Sequence, residues 1–249
     1  MKRPDVRIDN YKEVFDFYQT HQQNKVGARL GYAALSKLFH PRIRYEDGAR
    51  KQLEELVAND TSLIIATNHL TYKDQYPAAA AAWQTSLREK VGHMRVLGKD
   101  ELFHGAKRPF IDMMGTVPVF RSKNYDPLLT KEAGNYMTNA MAERLAHGDT
   151  VAILPEGTCN VDHPERLLPI RTGIGHMARR AVELDANLAI VTMGISYGDK
   201  LRGTHDTDVK NALVYINSPV VDIPDNTLEV VEAVRANLQD AVDNANKLY

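Results

Sequence analysis

Ser62-Leu63-Ile64-Ile65-Ala66-Thr67-Asn68-His69-Leu70-Thr71-Tyr72-Lys73-Asp74 is the stretch that decides how this 249-residue chain folds. Its first six residues form a short apolar run with β-branched residues, the mark of a buried strand. Polar residues 68–74 follow at once. Beyond them lies an alanine-rich run, Ala78–Trp83, a strong helix former. The stretch therefore reads strand, turn, helix.

The same alternation extends outward in both directions. Strand-like runs occur at Met94–Gly98, Thr116–Phe120, Thr150–Leu154, Ala189–Ile195 and Ala212–Ile216. Helix-like runs lie between and after them, at Ala49–Ala58, Gln75–Leu87, Gly134–His147, Gly173–Leu184 and Leu228–Asn246. Such alternation predicts an α/β fold, with a mixed, largely parallel sheet flanked by helices. Two further helices are predicted at the N-terminus. Tyr11, Val14, Phe15 and Tyr18 follow helical spacing after a candidate cap at Asp9, and Lys25–Phe39 is apolar around much of its girth before Pro41. Residues 1–44 are thus expected to form a helical segment, and residues 45–249 the main domain.

Composition narrows the function. Lys plus Arg number 31 against 32 Asp plus Glu, a net charge of -1, which argues against a dedicated nucleic-acid binder. One cysteine, Cys159, excludes an intramolecular disulfide framework and a Cys-rich zinc site, and no metal is expected. No apolar run reaches the roughly 18 to 20 residues that cross a bilayer. Residues Met1 to Arg7 lead into no apolar core, so no signal peptide is expected. The sequon Asn59-Asp60-Thr61 is accordingly read as accidental, and the expected location is the cytoplasm.

Four short constellations could carry chemistry. In the first, an apolar strand delivers His69 to a strand end, where sites of open sheets lie, and Asp74 follows at +5. The two can meet if His69 sits in the turn and Asp74 opens the next helix. A carboxylate on one imidazole nitrogen leaves the other free as a general base. The ordinary alternative is a capping Asp beside a satisfied His. The second is Leu154-Pro155-Glu156-Gly157-Thr158, an irregular turn after another apolar strand, presenting an acid, a hydroxyl and backbone N–H groups. The third, Gly115–Arg121, closes an apolar strand with an arginine suited to phosphate. The fourth, Leu168-Pro169-Ile170-Arg171-Thr172-Gly173, puts an arginine and a glycine before a helix, a setting that suits an anion. Taken singly, the His-x4-Asp spacing is weak, and the other three read better as an ordinary turn or a solvated charge.

In order and spacing the four together resemble the glycerolipid acyltransferases of the lysophosphatidic-acid acyltransferase type, the PlsC-like family. That family carries an Asn-His-x4-Asp block, a block ending in Gly-x-(apolar)-x-x-x-Arg, a Pro-Glu-Gly-Thr block, and an apolar-Pro segment with a basic residue and Gly. The segment Gly98-Lys99-Asp100-Glu101-Leu102 also resembles a family stretch, and the likeness spans about residues 45 to 220. It departs after Glu-Gly-Thr, where the family often has Arg-Ser and this chain has Cys159-Asn160. An expected cation is lost there, for which Lys73 and Arg171 could compensate.

The resemblance implies transfer of an acyl group from acyl-CoA or acyl carrier protein to a hydroxyl of a lysophospholipid such as 1-acyl-glycerol-3-phosphate. His69 would act as base, with Asp74 fixing its tautomer. Arg121 would hold the acceptor phosphate, helped by Arg171 and Lys73. Glu156 would bind a glycerol hydroxyl or orient Arg121, and the N–H groups near Gly157 and Thr158 would bind acceptor. No cofactor is implied beyond the thioester substrate, and no nucleic acid. The basic, apolar N-terminal segment could lie on a membrane surface, so a peripheral enzyme at the cytoplasmic membrane face is expected; the alternative is a helix pair packed on the core.

Cys159 reads as a packing or bystander residue next to the site. Two other functions remain as alternatives. Gly194-Ile195-Ser196-Tyr197-Gly198 matches the hydrolase elbow Gly-x-Ser-x-Gly with His205 downstream, but no periodic helix follows it. A non-catalytic lipid- or acyl-CoA-binding protein would also retain the fold.

Overall fold

The computed structural model describes residues 3–249; Met1 and Lys2, the start of the N-terminal segment, lie outside the described residues. Seven strands form one sheet in the order β1-β7-β6-β2-β5-β3-β4. They are β1 (Arg42–Tyr45), β2 (Ser62–Thr67), β3 (Met94–Lys99), β4 (Thr116–Val119), β5 (Thr150–Ile153), β6 (Leu188–Ser196) and β7 (Leu213–Ile216). The five strands from β6 to β4 run parallel, β7 is antiparallel to β6, and β1 is parallel to β7. The sheet is therefore mixed and largely parallel, as the strand–helix alternation predicts. Pro118 lies in β4, an edge strand, where a missing N–H costs no ladder bond.

Eight α-helices flank the sheet: α1 (Tyr11–Thr20), α2 (Lys25–Leu38), α3 (Ala49–Ala58), α4 (Gln75–Gln84), α5 (Arg108–Met113), α6 (Pro127–Ala146), α7 (Gly173–Glu183) and α8 (Thr227–Leu248). The period-2 alternation of β2 splits its apolar residues between two cores. Ile64 and Ala66 pack with residues of α1, α6, α7 and α8, while Leu63 and Ile65 pack with residues of α2, α3 and α4. A strand covered on both faces must be apolar throughout, which is why residues 62–67 show no polar alternation.

The two N-terminal helices differ in burial. Val14, Phe15, Phe17 and Tyr18 of α1 sit in the core shared with α6–α8. Two buried arginines fix the end of α1: Arg95 donates to the carbonyl of His21 and to Asp149, and Arg144 donates to the carbonyl of Gln19 and to the same carboxylate. In α2 only Ala28 and Tyr32 are buried, whereas Val26, Leu30 and Leu38 are 70%, 67% and 60% exposed. Among the described residues no helix is long and apolar enough to cross a membrane.

The sequence reading did not anticipate β1 and α5. Arg42-Ile43-Arg44-Tyr45 has no apolar run, because β1 is an edge strand and only Ile43 and Tyr45 turn inward. The start of α6 lies seven residues earlier than periodicity indicated. Asp126 caps it, accepting from the N–H groups of Leu128 and Leu129, with Pro127 in the first turn.

Candidate active site

His69 and Asp74 lie in the turn between β2 and α4, at the C-terminal edge of the parallel strands. The turn is anchored to the sheet by Asn68, whose side-chain amide takes the place of a further ladder residue. Its Nδ2 donates to the carbonyl of Ile195 at 2.9 Å, and the Ile195 N–H donates to its Oδ1 at 2.7 Å. Asn68 thus locks the end of β2 to the end of β6.

Asp74 is fully buried and accepts five hydrogen bonds. Its Oδ2 takes His69 Nδ1 at 2.9 Å and the N–H groups of Leu70 and Thr71 at 2.7 and 2.9 Å. Its Oδ1 takes the hydroxyls of Thr71 at 3.2 Å and Tyr197 at 2.7 Å. A carboxylate oxygen that already accepts from two backbone amides takes a proton from His69 Nδ1, so Nε2 is the ring nitrogen that Asp74 does not engage. Asp74 does not cap α4; its side chain turns back into the loop that precedes it. Burial of the His69 ring works against the imidazolium. Hydrogen bonding and charge at Asp74, and also at Cys159, outweigh it, and the pKa is pushed up to about 9.

Tyr197 is a site residue that sequence reasoning missed. It is buried, and burial followed by the Asp74 charge pushes its phenol well above its usual range, so it stays a hydrogen-bond donor. The only sequence signal was its place inside the Gly-x-Ser-x-Gly match. That match has another origin. A Cβ at Gly194 would lie 2.2 Å from the Ala241 carbonyl oxygen, so Gly194 lets α8 press against β6. Ser196 is buried with its hydroxyl accepting from Gly198 N–H, a short 3-10 turn follows it, and His205 packs tilted against the Tyr72 ring instead. The serine hydrolase alternative through Ser196 is therefore overturned.

The structure brings the first, second and fourth sequence blocks together through Glu156, which follows β5, the strand next to β2. Its Oε1 accepts from His69 N–H and its Oε2 from Leu168 N–H, both at 2.8 Å. Burial raises its pKa, while these two amides pull the other way. With both oxygens occupied and the side chain buried, Glu156 neither orients Arg121 nor offers an acid to a glycerol hydroxyl; it positions His69 and the 168–173 segment. Two backbone bonds strengthen the union, Asn160 N–H to the His69 carbonyl at 2.6 Å and Arg171 N–H to the Pro155 carbonyl at 2.9 Å.

Gly157 has φ +69°, a left-handed conformation that a side chain strains, and a Cβ there would lie 3.7 Å from Arg171 Nε. Gly157, Thr158 and Arg171 are exposed beside the turn. Arg171 makes no side-chain ion pair among the described residues, so its charge is available to an anion. Lys73 instead points Nζ to the Thr207 carbonyl at 3.3 Å. Arg121 lies two residues beyond β4, three strands from β2, about 14 Å at ordinary strand spacing. It forms an ion pair with Glu101, which also accepts from Asn124 at 2.8 Å. Lys99, at the end of β3 between them, stands over the Tyr72 ring at 4.9 Å.

The last site residue is Cys159. Its Sγ lies 3.3 Å from His69 Nε2, on the nitrogen that Asp74 leaves free. Among the described residues no cluster of His, Cys, Asp and Glu could hold a metal ion.

Among curated protein sequences none is similar enough to count as a match. Among solved structures, the 1-acyl-sn-glycerophosphate (LPA) acyltransferase PlsC from Thermotoga maritima shares the fold. Its TM-score is 0.60 and its identity 15%, over 94% of this chain and 88% of that one. The family profile described as "Acyltransferase" matches residues 49–196, more than half of the chain and all of the His69, Arg121 and Glu156 segments, so this chain belongs to the acyltransferase family.

Proposed function

We propose that this acyltransferase moves a fatty acyl group from a thioester, acyl-CoA or acyl carrier protein, to a hydroxyl of a lysophospholipid such as 1-acyl-glycerol-3-phosphate. The observation that carries the reading is the His69–Asp74 pair at the sheet's C-terminal edge, with Nε2 turned away from the carboxylate. His69 takes the proton of the attacking hydroxyl and returns it to the departing thiolate. Asp74 fixes the tautomer and stabilises the imidazolium formed on the way. Arg171, beside Gly157, and Arg121, across the strand ends, suit the acceptor phosphate. The fold shared with a lysophosphatidic-acid acyltransferase supports the acceptor class. Retention of both His69 and Asp74 in this geometry speaks against a purely non-catalytic lipid-binding role.

The working location we propose is a membrane surface on the cytoplasmic side. The exposed row Val26, Leu30 and Leu38 on α2 would rest on lipid, next to Lys25, Arg29 and Lys37. In this view α2 is the membrane-contacting part of the N-terminal segment 1–44, whose α1 packs into the core of the acyltransferase domain that residues 45–249 build. Flotation with anionic liposomes tests it: binding unchanged in a Val26→Ser/Leu30→Ser/Leu38→Ser variant rejects the lipid contact.

The activity is tested by incubating the full chain with acyl thioester and 1-acyl-glycerol-3-phosphate while following free thiol and diacyl product. Product is expected, and His69→Ala should remove it. Activity unaffected by His69→Ala would sink the mechanism.

A further inference from the structure

His69 has one nitrogen to work with, and a thiol already occupies it. Nδ1 is committed to Asp74 at 2.9 Å, and Nε2 faces Cys159 Sγ at 3.3 Å. An acceptor hydroxyl can reach Nε2 only if the thiol has moved or has already reacted. We propose that Cys159 is the nucleophile of a Cys159–His69–Asp74 triad, and that the acyl group rests on its sulfur as a protein thioester before reaching the acceptor. The inference deepens the acyl-transfer reading above and rests on it.

Three features fit a nucleophile better than a packing residue. First, its backbone is held on both sides. Gly157 N–H donates to the Leu154 carbonyl, Asn160 N–H to that of His69, and Asn160 Nδ2 to those of His163 and Arg166. Second, Cys159 is half-buried beside the exposed Gly157 and Thr158, so a substrate can reach it while its sulfur keeps the imidazole. Third, the N–H groups of Thr158 and Cys159 donate to no protein group among the described residues. They are the turn's donors without a protein acceptor, and the oxyanion of the proposed step is assigned to them.

The step balances without a further reagent. His69 Nε2 takes the thiol proton as Cys159 Sγ bonds to the acyl carbon. The donor's C–S bond then breaks and its thiolate leaves with the proton from Nε2, giving free thiol and S-acyl-Cys159. One thioester replaces another, so the exchange is close to isoenergetic. In the second half the acceptor hydroxyl gives its proton to Nε2 and attacks the same carbon. Cys159 leaves and is reprotonated, and the product ester forms. His69 serves both halves.

The test uses the full chain without acceptor, mixed with octanoyl and palmitoyl thioesters of CoA and of acyl carrier protein, quenched in acid and weighed by intact-mass spectrometry. One acyl group per chain is expected. It should map to the peptide of Cys159, be released by neutral hydroxylamine, and pass into diacyl product when 1-acyl-glycerol-3-phosphate is added. Cys159→Ala should lose the adduct and at least ~10²-fold in kcat. Cys159→Ser should form an oxygen ester slowly that neutral hydroxylamine leaves in place. Turnover without an adduct overturns the inference and leaves the acyltransferase reading standing. An adduct that never passes to acceptor overturns it as a dead-end acylation. Neither adduct nor turnover with any donor, from a chain that melts cooperatively, overturns both.

Discussion

Replacing Asp74 by Asn should cost activity through charge alone, because the hydrogen bonding around it dictates which way the amide must lie. Leu70 N–H, Thr71 N–H and His69 Nδ1 all converge on Oδ2. A backbone N–H can only donate, so the amide oxygen has to take that position and His69 keeps its tautomer. The amide NH2 then faces the hydroxyls of Thr71 and Tyr197, which can rotate to accept. Geometry survives and the carboxylate charge does not. The size follows from His69. Its rise from 6.5 to about 9 amounts to roughly 3 kcal/mol in favour of the protonated ring, and the hydrogen bond to Asp74 is the largest contribution that raises it, against the opposing burial. Losing most of that at the transition state, where the imidazolium forms, lowers kcat by ~10²-fold. Three charge-assisted bonds weakened to neutral ones add a stability loss of about 1 to 3 kcal/mol. The assay is kcat by thiol release, His69 titration by NMR, and thermal unfolding. A kcat within about threefold of the parent, or a His69 titration still near 9, would refute the reasoning.

Glu156→Gln places an NH2 against one of two backbone N–H donors, since both carboxylate oxygens now accept. A loss of about 1 to 3 kcal/mol in urea unfolding is expected, with kcat reduced because His69 N–H is one of the two. Stability should also depend on pH through His69. The folded pKa lies above 6.5, so the contribution is full below that value and is lost as pH rises through about 9. The difference in unfolding free energy between the parent and His69→Gln should shrink by up to about 3 kcal/mol across that window, and a flat difference contradicts it. Arg121→Ala should mainly raise KM for a phosphorylated acceptor, and Glu101→Gln should lower it by freeing Arg121; unchanged acceptor kinetics in both would remove Arg121 from the binding site.

The strands were legible because the buried sheet demands apolar runs, and 62–67 and most other strands carry them, with Arg95 in β3 the buried charged exception. The edge strand β1 escaped notice because an edge needs few apolar residues and Arg42 and Arg44 supply none. His69 and Asp74 could be paired from sequence because five residues span one turn between a strand and a helix. Tyr197 could not, since it comes to Asp74 from β6, 123 positions along the chain, and nothing local to either residue marks the contact. Glu156 was recognised as a block residue but its task was misread. An acid after a strand looks like a ligand group until its two oxygens are seen to hold the His69 turn and the 168 segment. Cys159 was set aside because one cysteine signals nothing by itself; the neighbouring His lies 90 residues earlier, on the adjacent strand's turn.

The resemblance breaks at the point where the geometry is tightest. A cysteine in place of the expected arginine removes a cation beside the Gly157 turn and puts a thiol on the catalytic nitrogen. In the function proposed above, anion binding then falls to Arg171 in the same loop cluster and to Arg121 across the strand ends. Arg121 meets Glu101 as a partly exposed pair, and pairs of that kind are worth about 1 kcal/mol or less. A phosphate, carrying more charge than one carboxylate and able to take both guanidinium N–H groups, can displace Glu101 at small cost. The acceptor would then span from Arg121 to His69 over the ends of β3 and β5, passing Lys99 and the Cys159 sulfur. A substrate laid along that line brings its hydroxyl to an imidazole whose open side is a thiol, so the acyl group must either already be on that sulfur or push it aside.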